Sequence, residues 1–195
     1  MNFLAHLLVA RRTQTSEAGA ILGDIVRGAD LSAYPADIQR GIRIHRRIDA
    51  LTDRHPLLQI RRQDFAPESR RYAGIVLDLA SDFALAQDWT LYCDETLPAF
   101  CARSGAAVAA GAPWFEHAGG RPPQAAGFAE LLSSYATVEG IERALRRTST
   151  RLSQPAALLQ AGNGWPAQAQ ALRAALPQVL DDLIAGIDDL LKPAA

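Results

Sequence analysis

The sequence predicts an all-α fold, a single helical domain over residues 1–195, and three observations carry that prediction. Apolar residues recur at three-and-four spacing through most of the chain, strand-type alternation is scarce, and prolines and glycines fall where helices would begin and end. A length of 195 residues suits one domain with a sizeable core. Nearly half of the residues are hydrophobic and about a fifth charged, which is ordinary globular usage.

The elements follow in order. Residues 2–10 read as a short, mostly buried helix with Asn2 as its cap. Ser16 to Arg27 reads as a second, ended by Gly28. Pro35 opens a third that runs to about Arg54, where Pro56 stops it. Residues 57–65 form a short segment before Pro67, and Glu68 to about Phe100 is one long helix or two. From Ser104 to Gln124 the run GAAVAAGAPWFEHAGGRPP reads as a loop. Further helices are expected at 125–135, 138–152, 166–175 and, with an amphipathic stripe, from Pro177 to Leu191.

Charge is uneven along the chain. Residues 1–71 hold 12 arginines and 8 acidic residues, although the whole chain has a net charge of −1. Arginine clusters without interleaved aromatics or a known motif argue against nucleic acid as a partner. No stretch nears the ~18 apolar residues that a membrane-spanning helix needs. Cys93 and Cys101 lack metal-ligand spacing and are too few for a disulfide scaffold, so they read as reduced thiols of a cytoplasmic protein.

The polar residues of the third helix do not all lie where an ordinary surface helix would put them. At roughly 100° per residue, His45 and Asp49 fall on the side that holds Ile38 and Ile42, whereas Arg40, Arg43, Arg47 and Arg54 gather on the opposite, solvent side. Asp78 and Asp82, also four apart, lie beside Ile75, Leu79 and Ala86. His6 sits one turn after Asn2 in an almost wholly apolar segment, and Asp24 falls between Leu22 and Ile25 with Arg27 one turn on. Carboxylates taken into apolar faces need partners. His6, Asp24, His45, Asp49, Asp78 and Asp82 together make a mixed nitrogen and oxygen set that suits manganese, iron or zinc. Singly, each has a plainer reading: His6 as a hydrogen-bonded core histidine, Asp78 and Asp82 as a helix edge, Asp49 and above all Asp53 as salt-bridge partners of Arg46 or Arg54.

Four segments, MNFLAHL, GDIVRG, HRRIDALTDRHP and DLASDFALAQDW, resemble in order and spacing the acyl carrier protein phosphodiesterases, also called acyl carrier protein hydrolases. The likeness is close over the first ~90 residues and extends to the rest only in length and helical character. It implies an all-α fold related to the HD metal-dependent phosphohydrolases. It also implies a manganese-dependent reaction that hydrolyses the 4′-phosphopantetheine arm from holo acyl carrier protein, a step of fatty acid metabolism. Carried over by motif, the metal ligands are His6, Asp24, His45, Asp78 and Asp82 and the catalytic groups Asp24, His45 and Asp49, with Arg27 as the arginine expected to neutralise charge developing on the phosphoryl group. An acidic acyl carrier protein is the expected partner, met by Arg40, Arg43, Arg47 and Arg54.

Two positions depart from the family pattern: Phe83 follows Asp82 where a histidine is common, and Leu8 stands where a second histidine is usual. They motivate a non-catalytic module that binds acyl carrier protein. A phosphohydrolase acting on another small phosphoester is the remaining alternative.

Overall fold

The computed structural model describes residues 1–192. Twelve α-helices and no strand occur among the described residues, in the all-α class that the sequence predicts. They are α1 (Phe3–Arg12), α2 (Glu17–Leu22), α3 (Ala36–Arg54), α4 (Pro56–Gln63), α5 (Ala73–Gln87) and α6 (Leu97–Ala110). There follow α7 (Ala112–His117), α8 (Ala125–Ser134), α9 (Val138–Ser149), α10 (Pro155–Gly162), α11 (Trp165–Ala185) and α12 (Asp188–Leu191).

One continuous core runs from Met1 to Ile187 and draws on nearly every helix. Helix α5 is its axis, because a 15-residue segment with apolar or small residues all round has no side to give to water. It packs against α11 along one face and touches α1 and α9 on others. Helix α3 divides sharply between the buried Ile38, Ile42, Ile44, His45 and Ile48 and a row of exposed arginines.

Helices α2 and α3 meet backbone to backbone. A Cβ on Gly41 would lie 2.8 Å from the Cα of Gly19, and one on Gly19 would lie 2.7 Å from the carbonyl oxygen of Ile38. Only glycines allow this approach.

Several boundaries differ from expectation. Helix α2 ends at Leu22, and residues 23–25 form a turn. The helix expected from Glu68 is α5 alone, preceded by a short 3-10 turn at Arg70–Tyr72, and α6 begins only at Leu97. Residues 104–124 are mostly helical rather than a loop: Ser104, Gly105 and Val108 are buried in α6, which packs on α8 so closely that a Cβ on Gly105 would lie 2.4 Å from the Ala125 oxygen. Small residues there serve close packing, not flexibility. Helix α10 lies outside the expected helices, and the break expected before Pro177 is absent: α11 runs through it from Trp165 to Ala185, with the short α12 taking the last residues of the expected carboxy-terminal helix.

Candidate metal centre

Three elements bring imidazole and carboxylate groups together. Helix α1 supplies His6, the turn after α2 supplies Asp24, and α3 supplies His45 and Asp49 one turn apart. Both histidines are buried, with their rings stacked at 3.9 Å between centroids and 17° between planes. Asp49 joins them, its Oδ1 lying 3.1 Å from His6 Nε2 and its Oδ2 lying 3.1 Å from His45 Nε2. Asp24 Oδ1 lies 3.3 Å from the same His45 nitrogen. One ligand atom each from His6, His45 and Asp49 fall within 4.8 Å of one another.

His45 Nε2 lacks an aligned hydrogen-bond partner although two carboxylate oxygens lie within 3.3 Å. The buried nitrogen thus sits beside two carboxylate oxygens without a well-aligned bond to either. That arrangement fits a divalent ion, and so does the mixed donor set.

Charge in the metal-free cluster is divided unequally. Burial opposes a cation at His45, but Asp24 and Asp49 outweigh it and raise the imidazole pKa to about 9. Burial lowers His6 to about 4, helped by the neighbouring His45 and opposed by Asp49. Against the cost of burial, the histidines hold the Asp49 carboxyl well below the usual carboxylate range, and His45 lowers that of Asp24. Near neutral pH the pair thus carries one positive charge, on His45, while His6 is a neutral imidazole.

Above the cluster opens a cavity of about 230 Å³ lined by Met1, Asn2, Asp24, Asp49, Thr52, Asp53 and Asp78. Asp78 is on this wall, half-buried, with Oδ1 accepting a 2.7 Å hydrogen bond from the Met1 amine. Asp53 pairs with Arg62, not with Arg46 or Arg54.

The sequence profile of the acyl carrier protein phosphodiesterases matches residues 1–183. This chain belongs to that family. Proteins named acyl carrier protein phosphodiesterase from Enterobacter sp. (strain 638) and Salmonella dublin are similar to it. The first is 46% identical over 101 residues, which are 51% of this chain and 52% of the relative. The second is 44% identical over 110 residues, 56% of this chain and 57% of the relative. The chain spans about half the length of the curated relatives it matches. No solved structure matches it.

Not every residue carried over from the family pattern joins the cluster. Asp82 is fully buried and both of its oxygens are used on the first turn of α1, accepting from the backbone N–H groups of Leu4 at 2.8 Å and Ala5 at 3.2 Å. It does the capping expected of Asn2, whose side chain makes no cap hydrogen bond. Arg27 is exposed and does not line the cavity. Among the docking arginines, Arg43 donates to Gln39 and Arg47 to the carbonyl of Gly186, while Arg54 is exposed.

The two departures from the family pattern also lie outside the cluster. Phe83 packs edge-on against Trp165 of α11 at 4.8 Å between ring centroids, and Leu8 is buried in the core.

Sequence reasoning missed three contributors. A Cβ on Gly23 would fall 2.3 Å from Cγ of His45, so only glycine lets the Asp24 turn close over that ring. Arg46 fixes the same segment by donating to the carbonyls of Val26 and Gly28. Thr52, buried, is among the residues that line the cavity. The glycine immediately before Asp24 was the available signal for the first.

Proposed function

We propose that this protein is a divalent-metal phosphodiesterase that releases the 4′-phosphopantetheine arm from holo acyl carrier protein, with manganese as its metal. The observation that carries the proposal is the His6–His45–Asp49 group, with Asp24 beside it, in a member of this family. Relatives similar to this chain are named for the same activity.

His6, His45, Asp49 and Asp24 would hold the ion. When bound, a divalent metal supplies a Lewis acid for a phosphoryl oxygen and acidifies water. The chain supplies the rest. Asp49 ties the two imidazoles into one unit, and Asp24, more exposed than the others, sits where it can take a proton from an attacking water. Burial of both histidines keeps bulk water from their far side.

Cavity size favours a macromolecular substrate over a nucleotide. About 230 Å³ is below the ~300–1,000 Å³ typical of pockets that enclose a drug-sized ligand, so it accepts a phosphoryl group while the arm and the carrier stay outside. The exposed arginines of α3 give an acidic carrier a surface of opposite sign. Positions 8 and 83 make contacts away from the metal group, which removes the motive for a non-catalytic module. Cytoplasmic location and a role in fatty acid metabolism follow from this substrate.

A mobility-shift gel of holo acyl carrier protein incubated with the protein and manganese tests the reading. Conversion to the apo form with release of phosphopantetheine is expected. No conversion by folded, manganese-loaded protein would refute it.

A further inference from the structure

Arg46 spends its charge on backbone. It sits half-buried on α3, and among the described residues it pairs with no carboxylate: nearby Asp49 goes to the two histidines and Asp53 to Arg62. Its terminal nitrogens go instead to two carbonyls, Nη1 donating at 2.7 Å to Gly28 and Nη2 at 2.8 Å to Val26. A guanidinium is a rigid fork of donors, so two carbonyls on one fork are fixed relative to each other and to the helix that carries it.

The segment so gripped carries Asp24. After α2 ends at Leu22, the N–H groups of Asp24, Ile25 and Val26 bond back to the carbonyls of Ile21 and Leu22. Beyond that turn, residues 27–30 are exposed, and among the described residues no backbone N–H bonds to a carbonyl of residues 23–30. Arg46 supplies the two hydrogen bonds that those carbonyls accept. Asp24 is itself exposed and approaches the metal group by a single ion-pair contact, 3.3 Å to His45, so its own side chain does little to hold it there. Arg46 follows His45 directly and precedes Asp49 by one turn, and the clamp therefore refers Asp24 to the helix that carries both. Arg46 is absent from the cavity wall, which leaves it to act through Asp24 and not on a ligand.

We propose that Arg46 is a positioning residue: by tying the carbonyls of Val26 and Gly28 to α3, it sets the Asp24 carboxylate beside His45 where the ion binds. This deepens the metal-phosphodiesterase reading and rests on it. Outer partners that orient a metal-ligating side chain typically account for ~10- to 100-fold in metal affinity, and that is the loss expected here.

Calorimetric titration of manganese into wild type, Arg46→Met, Arg46→Lys, Asp24→Asn and the Asp24→Asn/Arg46→Met double variant provides the test. Hydrogen exchange of the metal-free proteins and steady-state kinetics on holo acyl carrier protein run alongside. Methionine keeps the apolar stem and drops the fork, whereas lysine keeps the charge but concentrates it at one point. Arg46→Met should bind manganese ~10- to 100-fold more weakly, and Arg46→Lys should lose most of the same affinity. In both, the amides of residues 24–28 should exchange faster while the helices stay protected as in wild type. At saturating manganese kcat should fall with KM within a few-fold of wild type. In the Asp24→Asn background, Arg46→Met should cost no more than a further ~2-fold in manganese affinity, because the two residues act as one.

Manganese affinity untouched by Arg46→Met, an Arg46→Lys protein that matches wild type, or a loss as large in the Asp24→Asn background as in wild type each overturns the proposal. So does a rise in KM alone, which would make Arg46 a docking arginine, or faster exchange throughout the chain, which would make it a merely structural one. Manganese binding that depends on Arg46 without turnover of holo acyl carrier protein would sink the phosphodiesterase reading and leave Arg46 in its role. Turnover with manganese affinity indifferent to Arg46 would do the reverse.

Discussion

Asp82 offers the sharpest test of how this protein divides its acidic residues between fold and site. Replacing it by alanine leaves the N–H groups of Leu4 and Ala5 without acceptors at the buried start of α1. Each unsatisfied buried donor costs ~1–3 kcal/mol, so Asp82→Ala should destabilise the protein by ~2–6 kcal/mol. At ~2–4 °C per kcal/mol for a domain of this size, the melting temperature should fall by roughly 5–20 °C. Asp82→Asn keeps one acceptor oxygen and should lose about half as much.

The pH profile gives an independent check. Burial raises the Asp82 pKa to about 7, against the Leu4 and Ala5 donors and the Met1 amine that lower it. A raised carboxyl pKa contributes stability that is complete below the unfolded value near 3.8 and is lost as the pH rises through about 7. Asp82→Asn should flatten that decline. Thermal unfolding followed by circular dichroism across pH 4–8, with calorimetry of manganese binding, measures both. A variant that melts like wild type but loses its manganese affinity would show that Asp82 is a ligand and that the capping argument is wrong.

Five further outcomes are expected. Asp49→Asn should lower manganese affinity ~100-fold, as read by calorimetry, because both imidazoles lose the group that joins them, and should lower the melting temperature of the metal-free protein, because the buried His45 cation loses one of its two carboxylates. Manganese affinity should rise about tenfold per pH unit from pH 6.5 toward 9 as the ion displaces the His45 proton, with proton release visible as a buffer-dependent heat. Over the same window the metal-free protein should lose stability, since the His45 contribution is complete below 6.5 and vanishes as the pH passes about 9. Gly23→Ala should cost ~1–3 kcal/mol in denaturant unfolding and weaken manganese binding, because its methyl would meet the buried His45 ring. Phe83→His should leave manganese affinity unchanged, because that side chain contacts Trp165 rather than the metal group.

The sequence showed the helices wherever one face was apolar and the other was not. On α3, His45 and Asp49 could be placed beside Ile38 and Ile42 because the arginines occupy the other side so completely. Helix α5 defeated the same reasoning. It is buried nearly all round, so a wheel drawn on it has no outward side, and Asp78 and Asp82 looked equivalent although one borders the cavity and the other caps α1. That distinction depends on where α1 begins relative to α5, a contact 77 or 78 residues away in sequence. Residues 104–124 misled for a related reason: their glycine and alanine content is the mark of a loop in isolation, but here it lets α6 and α8 approach.

The histidines and Asp49 all come from the first 50 residues, yet the remaining helices act on them through the end of α3. His55, at the junction with α4, has Nε2 3.2 Å from Oδ2 of Asp182 on α11. Arg47 donates at 3.1 Å to the carbonyl of Gly186, just past the end of α11, where a Cβ would strike Leu51. These contacts pin the last two turns of α3, which carry Asp49 and Thr52. The carboxy-terminal half therefore needs to preserve only a buttress, a packed helix with an acceptor at 182 and a glycine at 186. Such a requirement constrains shape more than sequence, so substitutions elsewhere on the exposed face of α11 should leave the metal group in place.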